Sequence, residues 1–171
     1  MSEQAAITEK ELDAAIDEAF KESPDFCKWF LKKTGFSKTN AKYYWSRSNH
    51  PWGRFAQVIQ NPETSVEEEI KRDSETDILV VFKKENGERF ALHIENKRTT
   101  GKFTPYQPES YVVRAEDWKN TEKFKNYSEY ETVLIAPLEF YRNNFEASNI
   151  FDRFVSHEEI SLLLPIFNPT M

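Results

Sequence analysis

The chain holds a single cysteine, Cys27, among its 171 residues. That excludes an intramolecular disulfide and a zinc cluster built on cysteine thiolates. Histidine is also scarce: His50, His93 and His157 lie far apart, and no histidine metal set or catalytic triad is apparent. No apolar run approaches the roughly 20 residues needed to span a bilayer. The first stretch, MSEQAAITEKELDAA, is acidic and lacks the basic and apolar regions of a signal peptide, so a cytoplasmic location is the expectation. Positive charge is in deficit, with 23 Lys and Arg against 29 Asp and Glu and a net charge of −6. This argues mildly against a nucleic-acid binder, whose phosphate contacts need clustered cations. It does not decide the matter, because the local field governs binding. One region reverses the balance: no Asp or Glu lies between Thr34 and Pro62.

Hydrophobic residues make up 39% and aromatics 15% of the chain, enough for a globular core rather than disorder. Thr8–Glu22 reads as an amphipathic helix. Thr8 and Glu11 form a capping box, and Leu12, Ile16, Ala19 and Phe20 make the apolar stripe. Pro24 opens a second helix that Gly35 stops. Cys27 in that helix reads as a small buried hydrophobe rather than a nucleophile. Lys38–Arg54 then mixes Lys38, Lys42, Arg47 and Arg54 with Tyr43, Tyr44, Trp45 and Trp52. Cationic and aromatic side chains together suit phosphates and stacked bases. The same aromatics would equally anchor an ordinary loop to the core. Gly53–Gln60 is expected as a short helix ended by Asn61-Pro62. Ser65–Arg72 reads either as a capped helix or as a strand, and Asp73-Ser74-Glu75 as a turn.

The centre of the chain is Thr76–Lys97. Asp77–Phe82 and Phe90–Glu95 are apolar strands joined across Asn86-Gly87, the dipeptide that best supplies the φ > 0 positions of a hairpin. The length of the Lys83–Arg89 connection leaves the turn type open. At the open end Asp77 meets Glu95 and Lys97, and the last two share one strand face. Paired carboxylates at the buried end of central strands call for a partner or a metal. Such oxygen ligands suit Mg²⁺ or Mn²⁺ rather than zinc. A helix follows from Gln107, with Pro108 in its first turn, and Gln107 and Tyr111 lie on one face of it. Glu131–Ala136 reads as a buried strand closed by Pro137, and Leu138–Asn144 as a short helix. Ser156 and Glu159 cap a last helix running through Leu164.

Asp77, seventeen intervening residues and then Glu95-Asn96-Lys97 resemble the signature of the PD-(D/E)XK nuclease superfamily, with Thr76 in place of the proline. Gln107-x-x-x-Tyr111 resembles the Q-x-x-x-Y element of its exonuclease-like branches. The resemblance covers about residues 67–136. It implies an α/β chain of the restriction-endonuclease-like fold, a central mixed β-sheet flanked by helices. One domain over residues 1–171 is expected, with a helical pair at 8–34 and the nuclease-like core at about 54–136. It further implies a Mg²⁺- or Mn²⁺-dependent nuclease hydrolysing phosphodiester bonds, in DNA or else RNA, from the defence, repair or mobile-element repertoire. Asp77, Glu95 and an upstream glutamate among Glu67, Glu68 and Glu69, with Glu68 the named candidate, would hold the metal. Lys97 would position or deprotonate the attacking water, Gln107 and Tyr111 would hold a phosphate or the end of the substrate, and Tyr44, Trp45, Arg47, Trp52 and Arg54 of the basic-aromatic stretch would bind nucleic acid. The alternative is a catalytically inactive module of the same fold that binds nucleic acid or protein. No membrane partner is expected, and nothing indicates a homo-oligomer.

Overall fold

Thr8 caps helix α1 (Glu9–Glu22) in the expected way. Its hydroxyl accepts the Glu11 N–H, and the Glu11 carboxylate accepts the Thr8 N–H. Ser23 caps α2 (Pro24–Leu31), with Pro24 in the first turn. The computed structural model describes residues 6–49, 52–60 and 67–168, with 52–60 and 67–74 described as backbone. After α2 come strands β1 (Lys42–Arg47), β2 (Trp52–Gln60), β3 (Glu67–Glu75), β4 (Ile78–Lys83) and β5 (Arg89–Asn96). Helix α3 (Gln107–Trp118) leads to β6 (Glu129–Ala136), the short helices α4 (Leu138–Asn143) and α5 (Phe145–Ser148), β7 (Arg153–Ser156) and α6 (His157–Ile160).

Among the described residues the fold is α/β. A five-stranded mixed sheet runs in the order β1-β4-β5-β6-β7, and β2 and β3 form a separate two-stranded antiparallel ribbon. The hairpin β4–β5 is antiparallel and sits centrally, with β1 antiparallel on one side. On the other side β6 runs parallel to β5, reached through α3, and β7 runs parallel to β6. Gly87, at φ +90, supplies the left-handed position of the hairpin turn. The Gly87 N–H donates to Lys84 O at 3.0 Å and the Lys84 N–H to Glu88 O at 2.8 Å.

Period-2 alternation in β4 and β5 divides the core. Ile78, Val80, Phe82, Phe90, Leu92 and Ile94 pack under α1 and α2 against Ile16, Phe20, Phe26 and Phe30. Leu79, Val81 and Ala91 face the other way, against Trp118, Phe124 and Tyr127. Each large side chain so buried stabilises the fold by about 2 kcal/mol. Both faces are covered, which explains why the two strands read as continuous apolar runs. Cys27 is buried and its thiol donates to Phe20 O at 3.1 Å. Burial pushes that thiol up to about 11, so it is an inert packing group.

Four local readings are corrected. Gly53–Gln60 lies in strand β2, not in a helix, and the Ser65–Arg72 ambiguity resolves to strand β3 from Glu67 onward. Asp73-Ser74-Glu75 continues β3 rather than turning: Ser74 pairs with Gly53 and Glu75 with Trp52. A capping-box signal is worth about 1 kcal/mol and yields to a ladder nine residues long that pairs the two segments along their shared edge. The last helix ends at Ile160 rather than at Leu164, because the Leu162 and Leu163 N–H groups bond only three residues back, to Glu159 O and Ile160 O, which tightens the chain out of α geometry. Lys42–Arg47 and Arg153–Ser156, to which no element was assigned, form the two edge strands of the sheet.

Candidate functional site

The register of the hairpin sets the site. Ile78 stands opposite Ile94 at the last rung of the ladder, so Asp77, the residue leading into β4, lies beside Glu95, near enough for the two carboxylates to repel one another. The Lys97 N–H donates to Ile135 O of β6 at 2.8 Å. That bond carries the β5–β6 ladder past Asn96 and keeps Lys97 on the face of Glu95. Glu95 is 3% exposed, and Asp77 and Lys97 are 9% each. These are buried charges, not a solvated cross-strand pair.

Helix α3 supplies the lid. Its entry turns at Tyr106, in the left-handed region at φ +61, a conformation costly for a bulky residue and found where the surroundings enforce it. Gln107 and Tyr111 both reach Glu95. Gln107 Nε2 donates to Glu95 Oε1 at 3.1 Å, while its Oε1 accepts the Thr104 N–H at 3.1 Å. The Tyr111 hydroxyl donates to Glu95 Oε2 and accepts the Asp77 N–H at 3.2 Å. Lys97 Nζ forms an ion pair with Glu95 Oε1 at 3.2 Å and donates to Lys102 O at 2.8 Å. Asp77 Oδ2 accepts the Asn96 N–H at 2.9 Å. The structure thus brings together Asp77, Glu95, Lys97, Gln107 and Tyr111.

Burial, then the charge of Glu95, then that of Asp13 push Asp77 well above the usual carboxylate range, against the Asn96 N–H and Lys97. Burial also raises Glu95, opposed first by Lys97 and then by the Tyr111 bond. Tyr111 is raised by burial and by the two carboxylates, so it is a neutral hydrogen-bond donor. Three mutually repelling carboxylates share this region with the cations Lys97 and Arg114. A divalent cation would reverse the repulsion.

Three groups here escaped sequence reasoning. Asp13 on α1 is 1% exposed and accepts from Asn96 Nδ2 at 2.8 Å. Its signal was a carboxylate one position off the Leu12–Ile16 stripe. Arg114 is fully buried one turn beyond Tyr111 on α3, its guanidinium 4.2 Å from the Tyr111 ring centroid and its Nε donating to Thr76 Oγ1 at 2.8 Å. His157 of α6 meets Asn96 Oδ1 through Nε2 at 2.8 Å. Asn96, between the two charged residues of its motif, therefore ties α1 and α6 to the strand that carries Glu95. His93 is a buried strand residue. Its Nε2 reaches Tyr127 Oη at 2.9 Å, and its Nδ1 reaches Thr76 Oγ1 at 3.0 Å.

Among the described residues no three Asp, Glu, His or Cys side chains group as metal ligands. The donor set in view is the Asp77–Glu95 pair, hard oxygen ligands that suit Mg²⁺ in kind. Glu95 Oε1 would exchange its bonds to Gln107 and Lys97 on taking up a cation. The side chains of Glu67, Glu68, Glu69, Trp52 and Arg54 lie outside the described residues. Tyr44, Trp45 and Arg47 sit on edge strand β1 and not among the five. Arg47 pairs opposite Leu79, two residues from Asp77, and Trp45 opposite Val81. No helix is long and apolar enough to cross a membrane among the described residues. No family model matches the chain, and no curated protein or solved structure matches it.

Proposed function

We propose that the chain is a divalent-metal-dependent nuclease hydrolysing phosphodiester bonds, foremost in DNA, on a restriction-endonuclease-like fold of the PD-(D/E)XK type. The observation that carries this reading is the side-by-side burial of Asp77 and Glu95 with Lys97 against them. The mixed sheet, and the helix after Lys97 that brings Gln107 and Tyr111 to Glu95, support it. Asp77 and Glu95 would hold Mg²⁺ or Mn²⁺, with Glu68 the named third candidate, and the ion would polarise the scissile phosphate. Lys97 would place its ammonium beside the attacked phosphate, orienting water and offsetting the charge that develops. Gln107 and Tyr111 act on Glu95 itself: their bonds fix the carboxylate's orientation, so they are positioning residues rather than phosphate ligands.

Two variants test the assignment. Lys97→Ala should leave Mg²⁺ affinity largely intact while cleavage falls roughly 10²-fold or more, the scale for losing a positioned acid–base group. Asp77→Ala should lose metal and cleavage together, with circular dichroism checking that both variants fold. Wild-type cleavage by Lys97→Ala would reject its role. One observation favours the second reading, an inactive module that binds nucleic acid or protein. Both oxygens of Glu95 already accept protein hydrogen bonds, so the carboxylate is satisfied without a cation. Absence of both Mg²⁺ binding and cleavage in the unmutated protein, across DNA and RNA substrates, would select that reading.

A further inference from the structure

Lys42, Lys83 and Arg89 stand abreast on three adjacent strands. Lys42 faces Lys83 across β1 and β4, and Lys83 faces Arg89 across β4 and β5. Like charges directly opposite one another destabilise a sheet. Arg47 lies further along β1, and Lys125 approaches from the turn after Glu122–Phe124, its carbonyl accepting from Arg89 at 2.9 Å. Among the described residues none of these five cations forms an ion pair with a carboxylate. This occurs in a chain of net charge −6.

Aromatic rings hold four of the five cations, all but Lys42. A β-bulge between Tyr43 and Trp45 interrupts the alternation of β1 and re-aims the side chains around it. Tyr43 packs with the core under α1 and α2, while Trp45 packs on the opposite face beside Leu79, Val81 and Trp118. Tyr44, in the bulge, is 41% exposed. The Arg89 guanidinium lies 4.2 Å and the Lys83 ammonium 5.8 Å from its ring centroid. Trp45 holds Arg47 at 5.8 Å and Lys125 at 5.6 Å. Packing alone does not account for this concentration of one sign of charge, since neutral neighbours would fill the same space without repulsion.

We infer that this face binds a single-stranded segment of nucleic acid, with the cations along its phosphates and Tyr44 offering a ring to one base. An exposed ring among cations serves an unstacked base, whereas a duplex keeps its bases stacked on each other. The Lys83–Arg89 rung lies six residues along β4 from Asp77, about 20 Å at strand rise. Arg47, opposite Leu79, lies much nearer, so the surface leads from this rung toward the candidate catalytic groups. For its ligand class the inference rests on the proposed nuclease reading.

The test is fluorescence anisotropy with a labelled oligothymidine and a duplex of equal length, in EDTA so that no cleavage occurs, across a salt series. Single strands should bind more tightly than duplex. Lys42→Ala/Lys83→Ala/Lys125→Ala, three exposed or half-exposed positions, should flatten the log–log salt slope by about 2, at roughly 0.7 per phosphate contact. Tyr44→Ala should weaken binding roughly ten-fold. Absent binding, a preference for duplex, or affinity and slope unchanged in the triple variant would overturn the inference. Cleavage is scored separately with Mg²⁺. Binding as predicted without cleavage keeps this surface and rejects the nuclease reading, and cleavage with salt dependence unchanged in the triple variant does the reverse.

Discussion

His157 and His93 are buried histidines: His157 meets Asn96 through Nε2, and both ring nitrogens of His93 meet hydroxyls. Burial, and then the charge of Arg98, hold His157 down at about 4. Burial, and then Arg114, hold His93 well below its ordinary value. A histidine depressed in the fold binds fewer protons there than in the unfolded chain. Its contribution to stability is therefore fully present above about pH 6.5 and is lost as pH falls toward the folded value. For His157 that loss amounts to about 3 kcal/mol between pH 6.5 and 4. His157→Gln keeps a donor for Asn96 Oδ1 but has no proton to gain. Urea unfolding of both proteins across this window should show the wild type losing stability faster than the variant on acidification. Parallel curves would show that His157 is not neutral in the fold.

The central hairpin depends at one end on its turn and at the other on α3. Gly87 sits at φ +90, and a Cβ there would meet nothing within 4 Å. Gly87→Ala is therefore penalised by backbone conformation alone, about 1–2 kcal/mol, and its urea midpoint should fall accordingly. At the other end a Cβ on Gly101 would lie 3.1 Å from Arg98 O and 3.4 Å from Lys97 Cδ. Gly101→Ala would thus press on the loop whose Lys102 carbonyl holds the Lys97 ammonium. The two substitutions should separate. Gly87→Ala lowers stability and leaves any Mg²⁺-dependent cleavage unchanged in folded protein, whereas Gly101→Ala lowers cleavage by more than its stability loss accounts for. Equal effects on both readouts would detach the loop from the function of Lys97.

At the scale of the whole molecule, the charge gathered at the open end of the hairpin sets stability against function. Asp77 is raised in the fold, so the folded chain binds more protons there than the unfolded one. That contribution is present below the ordinary carboxylate value and is lost as pH rises through the folded value. At neutral pH without metal, Asp77→Asn should therefore raise the melting temperature, since an amide oxygen can still accept the Asn96 N–H. Added Mg²⁺ should stabilise the wild type by mass action and leave Asp77→Asn unmoved. A Mg²⁺ shift of equal size in both proteins would place the cation elsewhere.

Features whose cause is local were legible in the chain alone. The capping boxes at Thr8 and Ser156, the Asn86-Gly87 turn and the β4 and β5 runs each carry their signal within a few residues. Because strand geometry alternates strictly, the common face of Glu95 and Lys97 followed from the same signals, as did the common helical face of Gln107 and Tyr111. Tertiary structure alone decided what depends on a distant partner. Gly53–Gln60 and Glu67–Glu75 became strands because each pairs with an edge of the other, against the helix-capping signal at Ser65. The Tyr44 bulge arises because β1 must place Tyr43 and Trp45 in cores on opposite sides of the sheet. Asp13, Arg114 and His157 joined the site because α1, α3 and α6 pack around one strand end. A buried polar side chain leaves no periodic mark in sequence, since what makes it tolerable is a hydrogen-bond partner brought up by the fold.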